Sequence, residues 1–234
     1  MKIVPRLAAS SPGWFAEADV VVVGSGIAGL TTAIRARNAG RRVILVTKDV
    51  VDAGSTRWAQ GGIAAALSPE DSADEHFEDT IVAGAGLCNE AAVRTLVTEG
   101  PAAIHGLINL GAQFDLDTSG ELALTREGGH NRDRIIHAGG DATGQEVSRA
   151  LVAAVEKIRD VEVIEHAAVV DLLRDATGAV QGVTLHVIGE GQRDGVGAVL
   201  APAVVLATGG IGQIFSQSTN PRVATGDEIG RAHV

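Results

Sequence analysis

The sequence predicts an α/β fold, a parallel sheet with an antiparallel β excursion, and three observations carry that prediction. A run of valines, Asp19-Val20-Val21-Val22-Val23, ends at Gly24. A second apolar run, Arg42-Val43-Ile44-Leu45-Val46-Thr47, follows one short helix later. A third, Ala203-Val204-Val205-Leu206-Ala207, runs into Thr208-Gly209-Gly210. Short uninterrupted apolar runs closed by glycine mark strands buried on both faces, as a parallel sheet requires.

The elements follow in order. Residues 1–18 read as a loose leader: Pro5, Pro12 and Gly13 interrupt any signal-peptide core. After the first strand, residues 30–39 are helix-compatible and stop at Gly40, a C-terminal cap. Strand, helix and parallel strand within about thirty residues make a βαβ unit. Residues 68–111 read as helical with one polar face, with breaks expected at Gly84-Ala85-Gly86 and Gly100-Pro101. A further helix is expected over 146–159. Residues 161–188 read as strands, with Asp175-Ala176-Thr177-Gly178 as a hairpin turn.

Composition narrows the class of function. The 234 residues suit one large domain or two small ones. Lys and Arg number 19 against 29 Asp and Glu, a formal net charge of -10. Nucleic acid demands a basic footprint, so no such partner is expected. The 30 glycines, nearly twice the usual share, imply tight turns and close backbone approaches to a ligand. The single Cys88 excludes an internal disulfide and a cysteine-rich metal site. No apolar run approaches the roughly 18 residues of a membrane span. A soluble, cytoplasmic protein with no membrane partner is expected.

Gly24-Ser25-Gly26-Ile27-Ala28-Gly29 fits G-x-G-x-x-G directly after a strand and before a helix. The first glycine permits the turn, the second admits a pyrophosphate, and the third lets helix pack on strand. Free N–H groups and the positive end of the helix dipole then face the phosphates. The fold is accordingly Rossmann-like. A Rossmann site ordinarily ends its second strand in an acid for the ribose hydroxyls, but here Thr47-Lys48 stands there, with Asp49 next. Lys48 either faces nucleotide phosphates or is an ordinary solvated lysine; spacing does not decide.

In Gly54-Ser55-Thr56-Arg57-Trp58-Ala59-Gln60-Gly61-Gly62, small residues surround one large aromatic and end in two glycines. That pattern lets backbone approach a flat ring, and Gln60 suits a ring edge. With the Gly24 motif, the segment resembles the FAD-binding region of the succinate dehydrogenase/fumarate reductase flavoprotein superfamily. Thr125-Arg126-Glu127-Gly128-Gly129-His130, then Arg134-Ile135-Ile136-His137-Ala138 and Asp141-Ala142-Thr143-Gly144, more narrowly resemble the L-aspartate oxidase family, as do Glu78-Asp79-Thr80 and Ala83-Gly84-Ala85-Gly86-Leu87-Cys88.

The resemblance runs from about residue 19 to 227 and implies an FAD-dependent oxidation of L-aspartate to iminoaspartate. Dioxygen or fumarate would be the acceptor, and quinolinate synthase, in NAD biosynthesis, would use the product. It implies that Glu127 recognises the substrate amino group. FAD would be held by Gly24 through Gly29, Lys48, Ser55 through Gly62, and Asp227. Respiratory relatives attach FAD through a histidine aligned with Ser55; no histidine stands between residues 50 and 62, so non-covalent FAD is expected. A soluble fumarate reductase or succinate dehydrogenase-type flavoprotein, and a non-catalytic FAD-binding fragment, are the alternatives.

Past Asp227 the family pattern fails. Ile229-Gly230-Arg231-Ala232-His233-Val234 is what one frame of a common sequencing adapter encodes. Residues 228–234 are therefore expected to be a non-native tail, and 19–227 an incomplete FAD-binding domain. The helical capping domain, which by resemblance supplies the catalytic arginine, is then absent and the fragment inactive. No metal site is expected at His130 and His137, which lack a carboxylate cluster. His76, His105, His166 and His186 read as surface or satisfied histidines.

Overall fold

A computed structural model describes residues 11–188 and 195–226. In chain order its elements begin with β1 (Trp14–Glu17), β2 (Val20–Val23), α1 (Ile27–Asn38), β3 (Val43–Val46) and β4 (Ile63–Ala64). Two helices follow, α2 (Ala73–Gly84) and α3 (Glu90–Asn109), then β5 (Leu124–Thr125), β6 (Ile135–Ile136) and α4 (Thr143–Glu156). The chain continues through β7 (Val161–Ile164), β8 (Ala167–Arg174), β9 (Val180–Val187), β10 (Gly195–Leu200) and β11 (Ala203–Leu206). Residues up to 58 and from 151 onward form one compact unit; residues 59–150 form a second.

The first unit carries two sheets. One is parallel throughout, in the order β11-β2-β3-β7; the other has the order β1-β10-β9-β8. Alternate residues of the parallel strands, Val21, Val23, Ile44 and Val46, join Val183, Leu185 and Val199 of the second sheet in one buried cluster. The intervening Val22, Val43 and Leu45 are equally buried, as a strand covered on both faces demands. α1 buries Gly29, Leu30, Ala33 and Ile34. It ends at Gly40, whose φ of +78° closes the last turn. The hairpin turn forms as expected: Asp175 Oδ1 accepts from the Thr177 and Ala179 N–H groups at 2.8 and 3.1 Å.

Four elements differ from the sequence expectation. Residues 14–17, read as loose leader, form β1, paired in parallel with β10. Gly197 makes that pairing possible, since a Cβ there would fall 2.1 Å from the Trp14 indole. The break expected at Gly100-Pro101 does not occur, and α3 runs through with Pro101 inside it. A proline in a helix interior costs about 3 kcal/mol. Burial of Val93, Val97 and Ile104 along one stripe opposes that cost, with the Asn89 side chain capping the first turn. The expected break at Gly84-Ala85-Gly86 does occur, through Ala85 and Gly86 at positive φ. Finally, α1 starts inside the glycine motif and α4 starts at Thr143, both ahead of their expected first residues.

In the second unit, β6 lies between β4 and β5, pairing antiparallel with both. Asp227, most of the leader (residues 1–10) and the tail at 228–234 lie outside the described residues. Among the described residues, no helix is long and apolar enough to cross a membrane.

Candidate functional site

The first candidate site is a cleft of about 350 Å³ in the first unit. It opens at the carboxyl ends of β2, β3 and β11, where open α/β sheets receive ligands. Gly24, Ser25, Gly26, Ile27, Ala28, Lys48, Ser55 and Thr56 all line it, as do Thr208, Gly209 and Gly210 after β11. Gly24 has a φ of +106°, and a Cβ there would stand 2.3 Å from the Ala207 carbonyl oxygen. Gly29 does not line the cleft but carries it: its Cβ would stand 1.8 Å from the Gly24 carbonyl oxygen.

The start of α1 is prepared for an anion. Its first turn has no acidic side chain, and Gly26 supplies no side-chain cap. Thr56 partly replaces that cap, its Oγ1 accepting the Ile27 N–H at 2.9 Å. Ser25 Oγ donates to Thr47 Oγ1 at 2.9 Å, which ties the motif to the end of β3. Lys48 is the one charged side chain among the described lining residues, and its Nζ reaches Thr225 Oγ1. A lysine, hydroxyls, exposed helix N–H groups and glycines that leave backbone bare fit a flavin dinucleotide, whose pyrophosphate is anionic and whose rings are flat.

Arg57 and Trp58 belong to the same unit without lining the cleft. Arg57 pairs with Asp52 at 2.7 Å and lies 5.7 Å from the Trp58 ring centroid. Ala59, Gln60, Gly61 and Gly62 fall in the second unit. Gln60 and Gly61 are exposed; Ala59 accepts the Gly144 N–H through its carbonyl at 2.9 Å.

Glu127 also lies in the second unit, exposed, with Oε1 3.4 Å from His137 Nε2. The neighbouring Arg126 is turned away to Asp133, at 2.9 Å. Behind this segment stands a charged network that sequence reasoning missed. Arg134 is fully buried; its Nε and Nη2 donate to the two oxygens of Asp71 and its Nη1 to Asp79, each at 2.8 Å. Asp79 also accepts from the Asn131 backbone N–H at 2.8 Å, and Glu75 takes both Arg132 Nε and Nη2. Burial pushes the Asp79 carboxyl up, but the Asn131 N–H and the Arg134 charge outweigh it and hold it below the usual range. The hydrogen bond from Arg132 likewise lowers Glu75. The available signal was acids spaced four apart at 71, 75 and 79, of which Asp71 stands just ahead of α2, followed by arginines at 132 and 134.

His76 departs from its expected surface or satisfied role. It is 5% exposed, its Nδ1 has no partner among the described residues, and its ring lies 5.5 Å from that of His130.

A parallel sheet, a glycine motif that only bare backbone satisfies and a cleft with one cation define a dinucleotide-binding flavoprotein domain. The chain belongs to the FAD binding domain family, whose model matches residues 19–233, and its cofactor is FAD. Among curated proteins it is 64% identical over 227 residues to the L-aspartate oxidase of Streptomyces coelicolor, covering 97% of this chain and 39% of that protein. Among solved structures it resembles the Mycobacterium smegmatis Sdh1 complex, with a TM-score of 0.84, 34% identity, and coverage of 92% of this chain and 38% of that one. It also resembles an Escherichia coli quinol fumarate reductase variant, with a TM-score of 0.85, 30% identity, and coverage of 94% and 37%. The chain thus spans about two-fifths of the length of the relatives it matches.

Proposed function

We propose that this chain is the flavin-binding part of an L-aspartate oxidase, which converts L-aspartate to iminoaspartate. The observation that carries this reading is the 64% identity to the Streptomyces coelicolor enzyme over 97% of the chain. Bound FAD supplies the redox chemistry, taking up the hydride that leaves Cα of the substrate. Dioxygen, reduced to peroxide, or fumarate, reduced to succinate, serves as final acceptor. Iminoaspartate then passes to quinolinate synthase in NAD biosynthesis, in the cytoplasm.

The residues divide the work. Gly24 and Gly26 leave backbone bare beside the pyrophosphate, Gly29 lets the helix pack beneath that turn, and the N-terminus of α1 with Lys48 meets the charge. Ser55, Thr56, Arg57, Trp58, Ala59, Gln60, Gly61 and Gly62 contribute to holding FAD, and Asp227 contacts its nucleotide. With serine at 55 and no histidine from 50 to 62, the cofactor is held without a covalent bond. Glu127, an exposed carboxylate, receives the substrate ammonium and orients Cα.

The test is aerobic turnover of L-aspartate by the full-length gene product loaded with FAD. Peroxide should appear in step with aspartate consumption, and Glu127→Gln should raise the KM for aspartate. Turnover with fumarate and a reduced donor, but never with aspartate, would replace the oxidase reading with that of a fumarate reductase.

A further inference from the structure

We propose that His137 is a positioning residue that holds the Glu127 carboxylate in place for the substrate ammonium; this deepens the reading of Glu127 above and rests on it. The sheet of the second unit makes the arrangement. β6 is its central strand, and His137 is the residue that follows it. On one side, β4 begins directly after Gly62 and pairs Ile63 with Ile136. On the other, β5 pairs Leu124 with Ile136 and leads through Thr125 and Arg126 to Glu127. The pairing therefore delivers the end of the flavin-binding segment and the substrate-binding carboxylate to the same histidine.

The ring is constrained at every edge. His137 Nε2 stands 3.4 Å from Glu127 Oε1, and Nδ1 stands 3.4 Å from Thr125 Oγ1. A Cβ on Gly62 would lie 2.9 Å from Nε2, so the missing side chain there is what admits the imidazole. The His137 backbone is pinned as well, its carbonyl accepting the Asp115 N–H at 2.8 Å. Asp115 in turn accepts from the Gly139 and Gly140 N–H groups at 2.9 and 3.2 Å. The side chain of His137 is 19% exposed against 53% for Glu127. A nearly enclosed donor thus faces an open acceptor.

The proposal requires one tautomer. Thr125 Oγ1 lies 3.4 Å from both the Ile135 carbonyl oxygen and His137 Nδ1, and the ring that serves Glu127 is the one whose Nδ1 accepts the hydroxyl hydrogen and whose Nε2 carries its own toward Oε1. Oε2 has no protein partner among the described residues and is left for the ammonium. A carboxylate tethered at one oxygen loses less rotamer freedom when the substrate arrives, and that saving appears as affinity. Arg126, the other polar neighbour in sequence, cannot take this role because Asp133 holds it.

The test is a double-mutant cycle in the full-length, FAD-loaded enzyme, reading the KM for L-aspartate and the Ki of succinate, a dicarboxylate without an ammonium. His137→Leu removes the donor and should raise the aspartate KM by about tenfold, the range of a hydrogen bond to a charged group. It should leave kcat and the succinate Ki within about threefold. His137→Gln places an N–H near the Nε2 position and should recover most of the loss. In a Glu127→Gln background, His137→Leu should add almost nothing. Additive effects, equal damage from the leucine and glutamine variants, or a succinate Ki that moves with the aspartate KM would each overturn the assignment. An aspartate KM indifferent to Glu127→Gln alone would overturn the ammonium reading itself, and the His137 proposal with it. The visible absorbance of bound FAD confirms that each variant is folded.

Discussion

In the cleft of the first unit, Gly24 and Gly29 matter because neither has a side chain. In the second unit, Arg134 matters through every nitrogen of its guanidinium, which Asp71 and Asp79 share between them. One region is shaped by what has been left out, the other by what has been put in. The two therefore fail in opposite ways. The cleft is intolerant of addition, because backbone oxygens already stand where a methyl group would go. The network is intolerant of removal, because each partner lost leaves a buried charge behind.

The largest effect should come from the network. Asp79→Ala strips Arg134 Nη1 and the Asn131 N–H of their shared acceptor, in a place that excludes water. Losing one partner of a buried ion pair costs about 3–5 kcal/mol. Chemical denaturation should report that loss, with the midpoint falling and the slope unchanged. A cost below about 1 kcal/mol would show that water reaches Arg134, and the contrast with the cleft would weaken.

The cleft should respond next, and in affinity more than in stability. Gly29→Ala drives a methyl group against the Gly24 carbonyl, so the motif must shift to accept it. Overpacking of this kind costs about 1–3 kcal/mol, which would weaken FAD binding roughly ten- to hundredfold if the strain falls on the bound geometry. Titration of the unfolded and refolded apoprotein with FAD reads it. Unchanged FAD affinity would mean that the third glycine of the motif serves helix packing alone.

The same contrast explains which parts were legible in the sequence. Bare backbone leaves a local mark: the G-x-G-x-x-G motif sits between a valine strand and a helix, all within twenty or so residues, so the βαβ unit and its cleft could be read directly. The hairpin at Asp175-Ala176-Thr177-Gly178 was legible for the same reason. A twin turn at Asp117-Thr118-Ser119-Gly120 carries the same signature and uses it identically, with Asp117 Oδ1 accepting from the Ser119 and Glu121 N–H groups. Long-range partnerships leave no such mark. Arg134 finds Asp71 across 63 residues, and β1 finds β10 from the far end of the chain. Thr56 capping α1 was hidden too, because the acceptor lies 29 residues from the N–H it serves. Glu127 was legible as a candidate through its motif, while its partner His137 was visible only once β5 and β6 were paired.

The smallest effect tests the network at its edge. Burial, with the charges of Arg134 and His130 adding to it, pushes the His76 imidazole below its ordinary value. The sign follows from linkage. Above about pH 6.5 the histidine is neutral in both folded and unfolded chains and stability does not depend on it. Below that value the unfolded chain binds a proton that the folded chain refuses, so stability falls until the pH reaches the lowered folded value. Unfolding free energies measured from pH 7.5 downward should therefore decline through this window, and His76→Leu should flatten the decline. Asp79 and Glu75, both held below their usual range, lose their contribution only at more acidic pH, as each becomes protonated. The two responses are thus separable along the pH axis. A decline that survives His76→Leu unchanged would place the proton elsewhere.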